Sequence, residues 1–218
     1  MLERWITALS TEDPGLEESA TTRERLKTRF PRNATRRMTQ LGLLVGAALE
    51  PLAPVETDTL VYASGYAESR ALEDYLDSFP SASPTLFQTS IHPSAVQQAL
   101  IIRQQSIRQF FPLTGGDYLP AQALQVALLA DTPRAILCGG EERGTWLLAQ
   151  NAASDRTFAF ALALSTSPDN ALARVTLNAV ADGATGSLTL PGFFDTLHAR
   201  RPFDGFVAPA RRLMIEWL

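Results

Sequence analysis

The chain has one cysteine among its 218 residues, Cys138, and two histidines, His92 and His198. A single thiol excludes an internal disulfide. No apolar run approaches the roughly 20 residues that a bilayer-spanning helix needs, and the opening residues, MLERWITALS, mix acidic and basic side chains. A cytoplasmic protein without a membrane segment is therefore expected. Gly115-Gly116 does not belong to a G-x-x-x-x-G-K-[ST] phosphate loop, and neither Ser64 nor Ser90 sits in a G-x-S-x-G elbow, so two common catalytic signatures are missing. Glu141-Glu142 could offer oxygens to a cation, but no ligand cluster accompanies the pair. It reads as solvated strand-end charge, and neither a metal nor a cofactor is expected. With a formal net charge of -4, nothing favours nucleic acid as a partner.

What is present fits one globular α/β domain over residues 1–218, with 45% hydrophobic and 19% charged residues. The informative stretch runs from Ser83 to Glu142. After a Ser-Pro turn, Ala95 to Arg103 carries apolar residues at helical spacing. Ser106 to Phe111 reads as a strand ended by Pro112, and Thr114-Gly115-Gly116 as a tight turn. Leu119 to Leu129 is an amphipathic helix, and Arg134 to Cys138 a strand closing on Gly139-Gly140. Strand, turn, helix and strand make one βαβ unit.

Upstream, Trp5 to Leu9 is a short strand candidate, and Thr22 to Arg37 is dense in basic residues. Met38 to Leu49 is an apolar helix with Gly42 and Gly46 on one face, which suits close packing on a sheet. Asp58 to Ser64 reads as a strand. Glu68 to Phe79 reads as a surface helix with Leu72, Tyr75, Leu76 and Phe79 turned inward. Downstream, Thr157 to Leu164 and Arg174 to Val180 read as two strands joined by a hairpin-like link, followed by a turn over 181–186. Gly192 to Arg200 suits a helix, and the tail RPFDGFVAPARRLMIEWL ends in a Trp and a Leu that anchor it.

The segments SPTLFQTSIHPSAVQQA, RRMTQLGLLVGAALEPL and AILCGGEE, in their order and spacing, resemble the N-terminal half of the β-ketoacyl synthases. The resemblance implies a thiolase-like layered fold, a mixed sheet flanked by helices, with the C-terminal half of the full enzyme absent. It also puts the nucleophile's place at Thr114, where those enzymes carry a cysteine. Cys138 lies on the closing strand and is not that nucleophile. A hydroxyl needs an adjacent base where a thiol does not, and none is evident beside Thr114. The histidine motifs of the missing half are absent; His92 reads as an interface or hydrogen-bonding residue and His198 as a surface one.

A nucleophile turn without a nucleophile resembles the short chain length factors of aryl polyene type pathways. That resemblance implies a non-catalytic subunit that forms a heterodimer with a catalytic ketosynthase and shapes its acyl tunnel. Ser106 to Phe111 would be the pairing strand, since an unpaired hydrophobic edge invites another strand. Phe87, Thr89, Ile91, Val96, Leu100, Ile107 and Phe110 are the candidate interface and tunnel residues. The basic run including Arg23, Arg25, Lys27 and Arg29 reads either as a solvated face or as a docking patch for acyl carrier protein. Two alternatives remain open: a stand-alone acyltransferase or hydrolase using Thr114 or Cys138, and a scaffold that only recruits carrier protein.

Overall fold

The computed structural model describes residues 1–180 and 185–218. Its centre is an eight-stranded mixed sheet, built from β1 (Leu2–Glu12), β2 (Thr59–Ser64), β3 (Gln109–Thr114), β4 (Arg134–Glu141), β5 (Phe158–Ser165), β6 (Ala173–Ala179), β7 (Phe203–Ala208) and β8 (Arg211–Trp217). The spatial order is β3-β2-β4-β5-β1-β6-β8-β7. β3, β2 and β4 run parallel, and every other pairing is antiparallel. The α/β class and the mixed sheet agree with the sequence reading.

The helices cover the sheet on both faces, and β5 shows why. Phe158, Phe160, Leu162 and Leu164 enter one apolar layer with α6 (Leu119–Leu129) and α7 (Leu190–His198). Ala159, Ala161 and Ala163, the alternate residues, enter the other layer with α2 (Gln40–Leu49) and α5 (Ser94–Ile102). The period-two alternation of a strand delivers one set to each face, and a strand buried on both sides reads as the unbroken apolar run FAFALAL. Around these layers lie α1 (Ser19–Leu26), α3 (Ser69–Asp77) and α4 (Pro84–Ser90).

Several local expectations need correction. β5 and β6 are not hairpin partners, because β1 lies between them and pairs antiparallel with both. β1 is accordingly a long central strand and not a short one. Residue Arg4 on it is buried and donates to the carbonyls of Leu128, Ala130 and Thr132, closing the C-terminal end of α6. The tail is a β7-β8 hairpin that extends the sheet from β6. The predicted turn over 181–186 falls largely outside the described residues. Gly42 and Gly46 face α5 and Phe30 instead of the sheet: a Cβ on Gly46 would stand 2.8 Å from the Phe30 ring and 3.2 Å from the Ala99 Cβ. On α3 the buried residues are Ser69, Ala71 and Glu73, while Leu72, Leu76 and Phe79 are exposed. The helix is rotated because Glu73 turns inward and accepts hydrogen bonds from the Thr145 and Leu147 amides at 2.7–2.9 Å.

Candidate functional site

Three parallel strands aligned side by side bring their C-terminal ends to one edge of the molecule, a common location for sites in α/β folds. Ser64 on β2 stands in register with Thr114 on β3, and Ala63 with Gly139 on β4. Glu141, at the end of β4, reaches across this edge. Its carboxylate accepts the Gly65 amide at 2.6 Å, the Tyr66 amide at 3.4 Å and the Ser64 hydroxyl at 3.4 Å. Space at Gly65 is tight, since a Cβ there would lie 3.0 Å from Glu141 Oε1 and 3.3 Å from the Gly115 carbonyl.

Glu141 is only 2% exposed. Burial pushes its carboxyl up to about 7 against the opposing pull of the Gly65 and Tyr66 amides. Glu142 is half-buried, accepts the Leu41 amide at 3.0 Å, and is likewise pushed up to about 7 by desolvation. The pair is thus not solvated strand-end charge, as the sequence suggested: Glu141 ties β4 to the loop after β2, and Glu142 holds the first turn of α2. Among the described residues no group of His, Cys, Asp and Glu is arranged to hold a metal ion.

Thr114, at the predicted nucleophile position, is exposed at the end of β3. Among the described residues no basic side chain is hydrogen-bonded to its hydroxyl. Cys138 is fully buried in the layer facing α2, and desolvation pushes its thiol well above the ordinary range. Both histidines have partners elsewhere. His92 Nδ1 lies 3.0 Å from Glu68 Oε2, and its ring stacks on Tyr62 at 5.2 Å. Exposed His198, at the end of α7, meets the Thr11 hydroxyl at 2.9 Å. Glu68 was missed from sequence: besides His92 it accepts the Ala95 amide at 3.2 Å, so one buried carboxylate fixes the loop that carries α4 into α5. Its place immediately before a helix was the only available signal.

The predicted interface residues divide by depth. Phe87 on α4 and Ile91 just after it are each 48% exposed. Ile107 and Phe110 are half-buried beside the open edge of the sheet. Val96 is fully buried in this chain's own core, Leu100 nearly so, and Thr89 is buried with its hydroxyl donating to the Leu86 carbonyl. Direct contact with another chain is open to the first four only. Phe87 also joins Tyr75 and Phe79 in an aromatic cluster, with ring centroids 5.3 and 5.4 Å from Tyr75. Leu72, Leu76 and Phe79 add exposed apolar surface to the same region. β3 has β2 on one side and no strand on the other among the described residues.

Three cations of the basic segment are neutralised by acids. Arg25 pairs with Glu12 and Glu17, Arg29 with Glu12 and Glu50, and Lys27 with Glu24. Arg23 donates to the Thr35 and Met38 carbonyls.

With this geometry the chain is similar, over 99% of its length and 100% of the other, to a chain of a ketosynthase (ApeO) in complex with its chain length factor (ApeC) from Xenorhabdus doucetiae. The TM-score is 0.71 at 19% identity. The chain has a ketosynthase-type, thiolase-like fold. The ishigamide ketosynthase/chain length factor matches 82% of this chain and 68% of its own, with a TM-score of 0.58 at 13% identity. An oxazolomycin ketosynthase domain from Streptomyces albus JA3453 matches 92% of this chain but 50% of its own, with a TM-score of 0.50 at 11% identity. No family model and no curated protein matches the sequence. Among the described residues no helix is long and apolar enough to cross a membrane.

Proposed function

We propose that this chain is a non-catalytic chain length factor that pairs with a separate ketosynthase and limits the length of the acyl chain it builds. The observation that carries the reading is the edge of β3, open among the described residues, which ends at Thr114, an exposed hydroxyl to which no described base is bonded. A strand edge open on one side among the described residues, with Phe111 exposed on it, is a surface that a second polypeptide would cover, and Phe87 and Ile91 are exposed as well. Similarity to a chain from a ketosynthase and chain length factor complex, over the whole of both chains, supports the same partner class. An aryl polyene type pathway and a cytoplasmic setting belong to this proposal as well.

The stand-alone enzyme gains nothing from the site, because Cys138 is a deeply buried, protonated thiol and the two imidazoles are bonded to other groups. Carrier-protein recruitment through Arg23, Arg25, Lys27 and Arg29 is also not favoured, since these cations already have partners within the chain.

Co-expression with a candidate ketosynthase that carries its own catalytic residues tests the reading. A one-to-one complex is expected, the purified chain alone should carry out no condensation, and Ile91→Ala and Phe87→Ala should lengthen the products of the pair. Unchanged product lengths in both variants would remove the tunnel role, and a chain that stays alone would remove the partnership.

A further inference from the structure

Two clefts open where residues 32–38 face α4 and α5. One, of about 730 Å³, extends toward α1 and the loop after β4; the other, of about 740 Å³, extends along α5 to Ile101 and Ile102. Both are lined by Arg36, Arg37, Met38, Thr85 and Thr89, so they meet as one bent groove with the two arginines at the bend. Each arm is of a size that holds small molecules.

The charge at the bend differs from the rest of the basic segment. Arg36 and Arg37 are exposed and, among the described residues, make no ion pair and donate no side-chain hydrogen bond. Exposed Arg143, also on the first arm, is in the same condition. Of the acids there, Glu17 pairs with Arg25 and Asp74 with Arg70, which leaves Glu18 and Glu142, the latter bonded to the neutral Leu41 amide. Among the described residues four guanidinium groups on this arm, those of Arg23, Arg36, Arg37 and Arg143, have no acidic partner and outnumber these two carboxylates, an excess that attracts an anion, and paired guanidinium forks match a phosphate. The second arm has a different character. Ala34, Met38, Ile101 and Ile102 give it apolar walls, and Ile101 is 74% exposed.

We propose that this groove binds an amphipathic anion, a phosphate monoester bearing an apolar chain, with the phosphate at Arg36 and Arg37 and the chain along Met38, Ile101 and Ile102. The site is made by this chain alone and does not depend on the pairing proposed above.

Calorimetric titration of the full chain with dodecyl phosphate, kept below its aggregation concentration, tests the assignment. One ligand per chain is expected, with affinity falling as salt rises. Arg36→Gln and Arg37→Gln should each weaken binding by about tenfold or more, while Arg212→Gln, on β8 and paired with Asp204 away from the groove, should leave it unchanged. Ile101→Gln should weaken dodecyl phosphate and spare inorganic phosphate. The thermal unfolding midpoint of each variant checks that it is folded. No binding of dodecyl phosphate, or equal binding by the folded double variant Arg36→Gln/Arg37→Gln, would overturn the site. Dodecanoate binding as tightly would overturn the phosphate assignment, and inorganic phosphate binding as tightly would overturn the role of the apolar arm.

Discussion

Glu141 shows how one buried side chain joins neighbouring loops and makes the fold sensitive to pH. Its folded-state pKa is raised from 4.5 to about 7 by desolvation, and Glu142 moves the same way. Between those limits the folded chain holds more protons than the unfolded one. Stability therefore falls as pH rises from about 4.5 to about 7, and is lowest above the folded value. Urea denaturation across that range should show the decline. Glu141→Gln keeps an acceptor for the Gly65 amide without the ionisation, and should flatten the decline by on the order of 2–3 kcal/mol. A profile identical to that of the parent chain would show that Glu141 does not titrate in this window.

At the scale of elements, α3 is held by a polar contact where the sequence promised an apolar one. The Glu73 carboxylate is fully buried and accepts the Thr145 amide and hydroxyl and the Leu147 amide. Glu73→Ala takes the acceptor from three partly buried donors, so a loss of about 1–2 kcal/mol is expected, with faster hydrogen exchange at the Thr145 and Leu147 amides. The apolar stripe Leu72, Leu76 and Phe79 was read correctly as a stripe and placed on the wrong side. Helical spacing says which residues share a face, not what that face meets. β3 makes a similar point. Pro112 was expected to end the strand, but on an edge strand its missing amide costs no ladder bond on the outer side, and pairing with β2 continues to Thr114.

For the whole molecule, the proposed pairing places its energetic weight on the open side of β3. Phe111 is 39% exposed there. Phe111→Asp should leave the chain folded, at a cost of about 1–2 kcal/mol for the covered part of the ring, and abolish co-purification with the ketosynthase, because a carboxylate would be buried without a partner at the interface. Undiminished co-purification would move the contact to another surface.

Much of this architecture was legible in the chain. The helices over Met38 to Leu49 and Leu119 to Leu129 and the strands over Asp58 to Ser64 and Thr157 to Leu164 follow from apolar periodicity. These are local properties, carried by neighbours within a few residues. Which strands lie side by side was not legible. β1 slots between β5 and β6, and the C-terminal hairpin completes the sheet, because backbone pairing joins residues more than 150 positions apart, such as Trp5 with Ser165. The same holds for charge. Composition marked residues 23–37 as basic, but folding brought Glu12, Glu17 and Glu50 against Arg25 and Arg29 and left Arg36 and Arg37 unmatched, since neutralisation depends on distance in space and not along the chain.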